Sequence, residues 1–218
     1  TAYEIPKRDW SSDVCSSDLP FRDFRVRKAI SLAIDYAAIN DGFYGAGWGY
    51  QASVHPGFRE GWKPDKVKAQ PGFNPATKAA DRAEANKLLA AAGFPNGKGL
   101  EPQVDFINID LLRENSERFQ GQMATAFPEM KVVLKPYADS ASFAVPQAAG
   151  QFKSVMYVIT AANDAVIDMI SQYYTGGSRN YGKFSDANLD SVLDKAQAEL
   201  NPANRDKIMD EFQTRRSE

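Results

Sequence analysis

The feature that most constrains the fold is a regular alternation of strand-like and helix-like segments in the middle of the chain. Residues 103–109, 131–137 and 153–160 are rich in β-branched and aromatic residues, as strands are. Between them, residues 112–126 carry the apolar period of an amphipathic helix, and residues 140–149 predict a short helix despite Pro146. This order favours right-handed crossovers and parallel strand pairing. We therefore predict an α/β fold.

Helices and one long loop are predicted on either side of this region. Asp23 is placed to cap a helix over residues 24–44, and residues 45–78 predict a long loop because they are rich in Gly and Pro. Further helices are predicted over residues 81–92 and 165–174, and from Asn201-Pro202 onward. Two apolar stripes mark core-facing helix surfaces: Val26, Ala29, Ile30, Ala33 and Ala37 in the first, and Leu189, Val192, Leu193, Ala196 and Leu200 in the second, which Ser185 or Asp186 would cap.

Residues 8–19 differ in character from the rest of the chain. They resemble, codon by codon, the translation of a common sequencing adapter, and a polar Ser/Asp-rich linker is the alternative interpretation. We therefore expect residues 1–19 to be a non-native leader and residues 20–218 to be the folded unit. The only cysteine, Cys15, lies in the leader, so we expect no disulfide or thiolate metal site in the rest.

The charge balance gives no sign of a polyanionic partner. Residues 1–19 hold two of the 26 Lys and Arg residues and four of the 28 Asp and Glu residues, so 24 of each sign remain. A chain without net charge has no bulk field to attract nucleic acid or an anionic membrane. No apolar run approaches the roughly 18 residues of a membrane-spanning helix.

The sequence offers little for catalysis. Its one histidine, His55, is predicted to be a surface or packing residue of the loop, and His/Cys metal clusters are excluded. The pairs Asp164/Asp168 and Asp190/Asp194 have the residue types of an acid and a base, but their i, i+4 spacing on helices favours solvated faces. We predict no enzyme, no metal and no cofactor. A carboxylate-pair hydrolase or transferase is the alternative, and a structural or adaptor domain is a third hypothesis.

Residues 20–35 follow the pattern P-F-x-D-x-R-V-R-x-A-I-x-x-A-I-D, and residues 83–94 contain A-x-x-L-L-x-x-A-G. Together with residues 185–190 and Asn204-Arg205, these segments resemble landmarks of the family 5 extracytoplasmic solute-binding proteins of ABC transporters, which bind peptides, nickel and opines. The resemblance covers nearly all of residues 20–218. It implies a periplasmic-binding-protein-like (type II) C-terminal lobe, with a mainly parallel or mixed sheet flanked by helices, truncated at both ends relative to the family.

The resemblance also implies a function. A member of this family is an extracytoplasmic, periplasmic receptor that closes two lobes by a hinge on a small solute (a peptide, opine or similar). It delivers the solute to an ABC permease of the inner membrane and does not itself span the membrane. We expect no signal peptide in such a fragment. Arg25 and Arg27 are expected to anchor their helix rather than to contact solute.

Candidate ligand-binding residues follow from the family's cleft and from the rule that ligands bind at the carboxyl ends of parallel strands. They are Trp48, Tyr50, Tyr157, Ala161, Asn163, Asp164, Arg179, Asn180 and Tyr181. Peptide-binding relatives also carry, after the third strand, an aspartate that pairs with the ligand's amino terminus, three residues beyond a tryptophan. The corresponding positions here are Ala161 and Val158. Because a buried ammonium without a carboxylate is costly, either Asp164 substitutes from nearby or the solute is of another kind.

Overall fold

The computed structural model describes residues 19–45, 52–156 and 162–217 of the 218-residue chain. In these ranges the helices are α1 (Phe24–Ala33), α2 (Tyr36–Tyr44), α3 (Pro64–Lys68), α4 (Lys78–Ala91), α5 (Asp110–Ala126), α6 (Ser140–Ala148), α7 (Ala165–Tyr173), α8 (Ala187–Ala198) and α9 (Pro202–Ser217). The strands are β1 (Gln103–Ile107), β2 (Val133–Tyr137) and β3 (Ser154–Val155). Short 3-10 turns lie at Leu19–Arg22, Pro75–Thr77 and Pro95–Gly97.

The three strands form one parallel sheet in the order β2-β1-β3. Val104 in the central strand pairs with Leu134 on one side and with Ser154 on the other. Val104 and Phe106 are buried against Leu112 of α5, the helix that connects β1 to β2. The predicted α/β fold with parallel pairing is therefore confirmed. The third strand was predicted over residues 153–160, of which 157–160 lie outside the described residues.

The predicted helix over residues 24–44 is wrong as a single helix. Asp23 caps α1 as expected, but the chain turns extended at Ile34, and the Asp35 carboxylate accepts from the Ala38 N–H to begin α2. The buried Lys78 ammonium accounts for the break, because it donates to the Leu32 and Ile34 carbonyls (3.2 and 2.6 Å) and so satisfies the end of α1. The apolar stripe crosses this break, which hid it from the sequence pattern.

The predicted long loop over residues 45–78 is also partly wrong. It contains α3 and the turn Pro75–Thr77, and α4 already begins at Lys78. Both Pro64 and Pro75 stand at the start of their elements, where the missing N–H costs nothing. Two of the prolines that indicated a loop therefore begin helical turns.

Helices form two further hydrophobic cores. The first packs α1 against α4 and α5 around Ala29, Leu89 and Phe127; the second packs α7, α8 and α9 around Val166, Leu193 and Phe212. In α8 the predicted cap is Asp186, which accepts from the Asn188 and Leu189 N–H groups. The stripe of α8 is buried as predicted except for Leu200, which is 93% exposed because α8 ends at Ala198. Among the described helices, none is both long and apolar enough to cross a membrane.

Candidate functional site

The carboxyl edge of the sheet collects the ends of the strands and the beginnings of the helices that follow them. α5 begins three residues after β1 and α6 three residues after β2, while α7 begins beyond the end of β3. At this edge the Asn108 N–H donates to the Tyr137 carbonyl (2.8 Å), which holds the two strand ends together. Asp139 and Asp164 cap α6 and α7 with their carboxylates. Asp164, one of the predicted site residues, thus caps the helix that follows β3 in the chain.

Four of the nine predicted ligand-binding residues, Trp48, Tyr50, Tyr157 and Ala161, lie outside the described residues, and so does Val158. The other five are described. Asn163 is exposed at the entry to α7, and Asp164, Arg179, Asn180 and Tyr181 are half-buried.

Asp164 is occupied by protein partners. Its carboxylate accepts from the Val166 and Ile167 N–H groups at 2.9 and 3.1 Å, and it also binds the Arg205 guanidinium on α9. Burial alone would raise the pKa of this carboxyl, but the Ile167 N–H and the Arg205 guanidinium outweigh burial and lower the pKa below its ordinary value of 3.8. Asp164 is thus a capping and ion-pairing carboxylate that stays ionised.

Asp168 is the residue on which the site segments converge. It is only 3% exposed, so the prediction that it lies on a solvated face is wrong. Its Oδ1 accepts from the Ala162 N–H (3.2 Å) and lies 3.6 Å from Arg179 Nη1, and its Oδ2 accepts from Gln172 Nε2 (3.1 Å). One buried carboxylate therefore links the segment after β3 to the loop after α7.

That loop, residues 174–184, is held by its own polar groups. The Asn180 amide donates to the Tyr174 and Phe184 carbonyls (3.0 and 2.7 Å), and its oxygen accepts from the Phe184 N–H (2.9 Å). The Arg179 N–H donates to the Ser171 carbonyl at the end of α7 (2.7 Å). Asn180 therefore shapes the loop that carries Arg179 and Tyr181.

The two neighbouring tyrosines face other parts of the protein. Tyr173 packs against the buried Phe212 with ring centroids 5.8 Å apart, and the Arg216 guanidinium lies 4.3 Å from its ring centroid. The Tyr174 hydroxyl donates to Asp194 on α8 (3.4 Å). Tyr173 therefore belongs to the second helical core, and Tyr174 joins the loop to α8.

The candidate catalytic residues are dispersed. His55 is exposed, and its Nδ1 accepts from the Gly57 N–H (3.0 Å). Asp190 accepts from the Thr175 N–H (2.9 Å), so it caps a turn. In the described part of the chain, no group of three His, Cys, Asp or Glu residues could hold a metal ion. As expected, Arg25 and Arg27 are helix anchors: Arg25 binds Asp23 and the Ala91 carbonyl, and Arg27 binds the Phe21 and Arg22 carbonyls.

Sequence reasoning also missed a second buried carboxylate, which lies in the sheet. Asp105 in the central strand is fully buried and accepts from Gln103 Nε2 (2.9 Å) and the Tyr137 hydroxyl (3.2 Å). Lys135 Nζ lies 3.2 Å from its Oδ1. An acidic residue inside an apolar strand was the available signal, since such a residue needs polar partners on the adjacent strand. The cluster ties β1 to β2 beneath α6.

Comparisons with known proteins agree with this architecture. The family model described as bacterial extracellular solute-binding proteins, family 5 Middle, matches residues 13–181. The structure of this chain is similar to that of the Escherichia coli murein tripeptide binding protein MppA, with 17% sequence identity and a TM-score of 0.77. The similarity covers 94% of this chain and 39% of that chain. Haemophilus influenzae OppA in complex with the peptide RPPGFSPFR gives 19% identity and a TM-score of 0.78 over the same shares, 94% and 39%.

A nickel-binding structure has the same fold. NikA from Staphylococcus aureus, in complex with Ni(L-His)2, gives 18% identity and a TM-score of 0.69, with 88% of this chain and 39% of that chain covered. No curated protein sequence matches the chain. The chain spans about 39% of the length of each of the three solved structures, MppA, OppA and NikA. The resemblance deduced from residues 20–35 and the later landmarks is confirmed.

Proposed function

The chain belongs to family 5 of the bacterial extracellular solute-binding proteins, and we propose that it forms one solute-gripping lobe of an extracytoplasmic receptor for an ABC importer. In this proposal the lobe binds a peptide or peptide-like small solute and closes on it by hinge motion against a second lobe. The receptor acts in the periplasm and passes its solute to an ABC permease of the inner membrane. No bond is made or broken.

The observation that supports this proposal most directly is the convergence of two loops on Asp168. The segment Ala162–Asp164 follows the last strand, and Arg179 lies on the loop after α7, yet both are held by one buried carboxylate. A binding site needs polar groups held in fixed positions by their neighbours, because groups ordered in advance lose less entropy when solute binds. The proposal assigns Asn163, Arg179 and Tyr181, which stand on this supported backbone, to the wall that contacts the solute.

The contacts of Asp164 restrict the kinds of solute that we expect the lobe to bind. Its carboxylate already accepts two backbone N–H groups and binds Arg205, so an incoming ammonium would compete with three donors. It is therefore unfavourable for Asp164 to take the place of the carboxylate that binds the ligand's amino terminus in peptide-binding relatives. We propose a peptide-like solute whose recognition does not depend on an ammonium bound at Asp164, with Arg179 as the cationic group of this wall.

The carboxylate-pair alternative gains no support from these contacts. A general acid needs a raised pKa, and the pKa of Asp164 is lowered. The two carboxylates also have different cationic partners, Arg205 for Asp164 and Arg179 for Asp168. Each carboxylate is therefore paired with its own cation, which is not the arrangement of an acid and a base that share one substrate.

Backbone NMR of the chain during titration tests the proposal. The probes are mixed oligopeptides, an opine and the nickel–histidine complex. We expect weak binding, with amide shifts concentrated at residues 162–164 and 179–181, and loss of those shifts in Arg179→Gln. The matched control is Arg113→Gln, because Arg113 pairs with the exposed Asp110 on α5. Shifts confined to other surfaces, or chemical conversion of a probe, would contradict the proposal.

A further inference from the structure

One cleft is lined by none of the predicted site residues that the structure describes. It has a volume of about 230 Å³ and is bounded by the junction of α1 and α2, the segment around α3, and the end of α9. Sites for drug-sized ligands occupy roughly 300–1,000 Å³. The cleft therefore suits a smaller molecule, of about one ring with one substituent.

The charges that line the cleft have one sign. Lys28 from α1 and Arg216 from α9 both line it, and no Asp or Glu is among the described residues of its lining. Within the described part of the chain, the half-buried Lys28 ammonium has no hydrogen-bond or ion-pair partner. The carboxylate of Asp210 lies behind one wall, where it accepts from Trp62 Nε1 (2.7 Å) and binds the Lys66 ammonium. The cleft therefore offers positive charge that no lining carboxylate offsets.

Aromatic side chains form part of the remaining lining, beside the polar residues Ser31, Ser53 and Gln70. Tyr36 and Phe73 stack with ring centroids 4.7 Å apart and an interplanar angle of 12°, and Trp62 also lines the cleft. Burial raises the pKa of the Tyr36 phenol, and a hydrogen bond with Ser31 opposes that shift only in part. The phenol is therefore neutral at neutral pH, and the wall is uncharged. Because Tyr36 and Phe73 stack on each other, they form one aromatic surface of the cleft, and a planar ligand gains from packing against that surface.

We propose that this cleft binds a small aromatic monocarboxylate. The ligand's carboxylate faces the Lys28 ammonium and the Arg216 guanidinium, and its ring lies against the wall formed by Tyr36 and Phe73. Charge-assisted hydrogen bonds to the carboxylate supply the selectivity, and burial of the ring supplies apolar contact. The site is separate from the segments 162–164 and 179–181 and does not depend on the solute proposed for them.

Fluorine NMR of the 218-residue chain with para-fluorobenzoate tests this assignment, with para-fluorobenzyl alcohol as the neutral analogue. We expect the carboxylate to bind roughly tenfold more tightly than the alcohol, because the neutral alcohol carries no charge to pair with Lys28 and Arg216. Lys28→Gln should remove that preference, and Arg216→Gln should weaken it. The control Lys87→Gln changes a lysine on α4 whose side chain is 77% exposed, and it should bind like the parent.

Circular dichroism on each variant confirms that the helices are intact, so that loss of binding is not loss of fold. Three results would overturn the assignment, the first two of which concern the comparison of ligands and variants. One is equal affinity for the carboxylate and the alcohol, and the other is undiminished carboxylate binding in Lys28→Gln. Absence of any binding of para-fluorobenzoate by the parent chain at millimolar concentration would overturn it as well.

Discussion

The guanidinium of Arg205 on α9 binds the carboxylate of Asp164, the residue that caps α7. The same guanidinium lies 3.9 Å from the carboxylate of Glu60, in the segment before α3. One cation therefore joins three parts of the chain, and it fixes the start of the helix that opens the candidate site. An exposed neighbouring pair, Arg59 with Asp206 (2.9 Å), joins the same segment to α9.

This ion pair predicts an acid-dependent stability. Because the folded-state pKa of Asp164 lies below 3.8, the ion pair stabilises the fold at pH above 3.8, and this stabilisation is lost as pH falls through the folded-state value. Asp164→Asn keeps the capping oxygen but removes the charge. We expect its free energy of unfolding to be lower by about 1 kcal/mol at neutral pH, and the difference to shrink in acid.

Urea unfolding at several pH values measures this difference. The control is Asp110→Asn, because the Asp110 side chain is 79% exposed and its pair with Arg113 is a surface contact. We expect a small change in that variant at every pH. A constant difference between parent and Asp164→Asn across the acid range would show that Arg205 does not stabilise the charged form.

Lys78 predicts a larger loss of stability. Its ammonium is buried and donates to the carbonyls of Leu32, Ile34 and Gly72, at 3.2, 2.6 and 2.6 Å. Lys78→Met fills a similar volume but leaves these oxygens without their donor. We expect the free energy of unfolding to fall by about 2 kcal/mol, measured by urea unfolding. Lys87→Met on the exposed side of α4 should stay within about 0.5 kcal/mol of the parent, and an equal loss in both variants would contradict the role of Lys78.

The two leucines of the α8 stripe should behave differently. Leu193 is fully buried in the second core, whereas Leu200 is 93% exposed beyond the end of the helix. Leu193→Ala should cost about 2–5 kcal/mol because it leaves a cavity, and Leu200→Ala should be nearly neutral. Thermal or urea unfolding of the two variants distinguishes them. A comparable loss of stability in both variants would indicate that Leu200 is buried with the other residues of the stripe, as the sequence pattern predicts.

The sequence was informative where local rules determine the structure. The Asp23 cap of α1 and Pro202 at the start of α9 are local features, and each was predicted. The parallel sheet followed from the order of the elements. Each of these needs only neighbours within a few residues, or the chain order itself.

The features that could not be predicted depend on contacts between distant residues. The break after α1 relies on Lys78, 44 residues beyond Ile34. The reciprocal bonds between Asp35 and Gln122 span 87 residues, and the Asp164–Arg205 pair spans 41. Periodicity places a residue on a face of its helix but does not say what that face meets. For this reason Asp168 was expected in solvent, although it is buried between two loops.

The affinity of this chain for solute is the last prediction. The solved structures to which it is similar are longer, and the chain covers 39% of each of the first two. Because deep sites bury most of a ligand's surface, a single wall of the cleft provides only part of the contact area, while the ligand still loses its translational and rotational freedom. We therefore expect solute binding by the chain to be much weaker than micromolar. Isothermal titration calorimetry with oligopeptides and opines measures this directly, and micromolar affinity for any of them would show that the described residues already form a complete site.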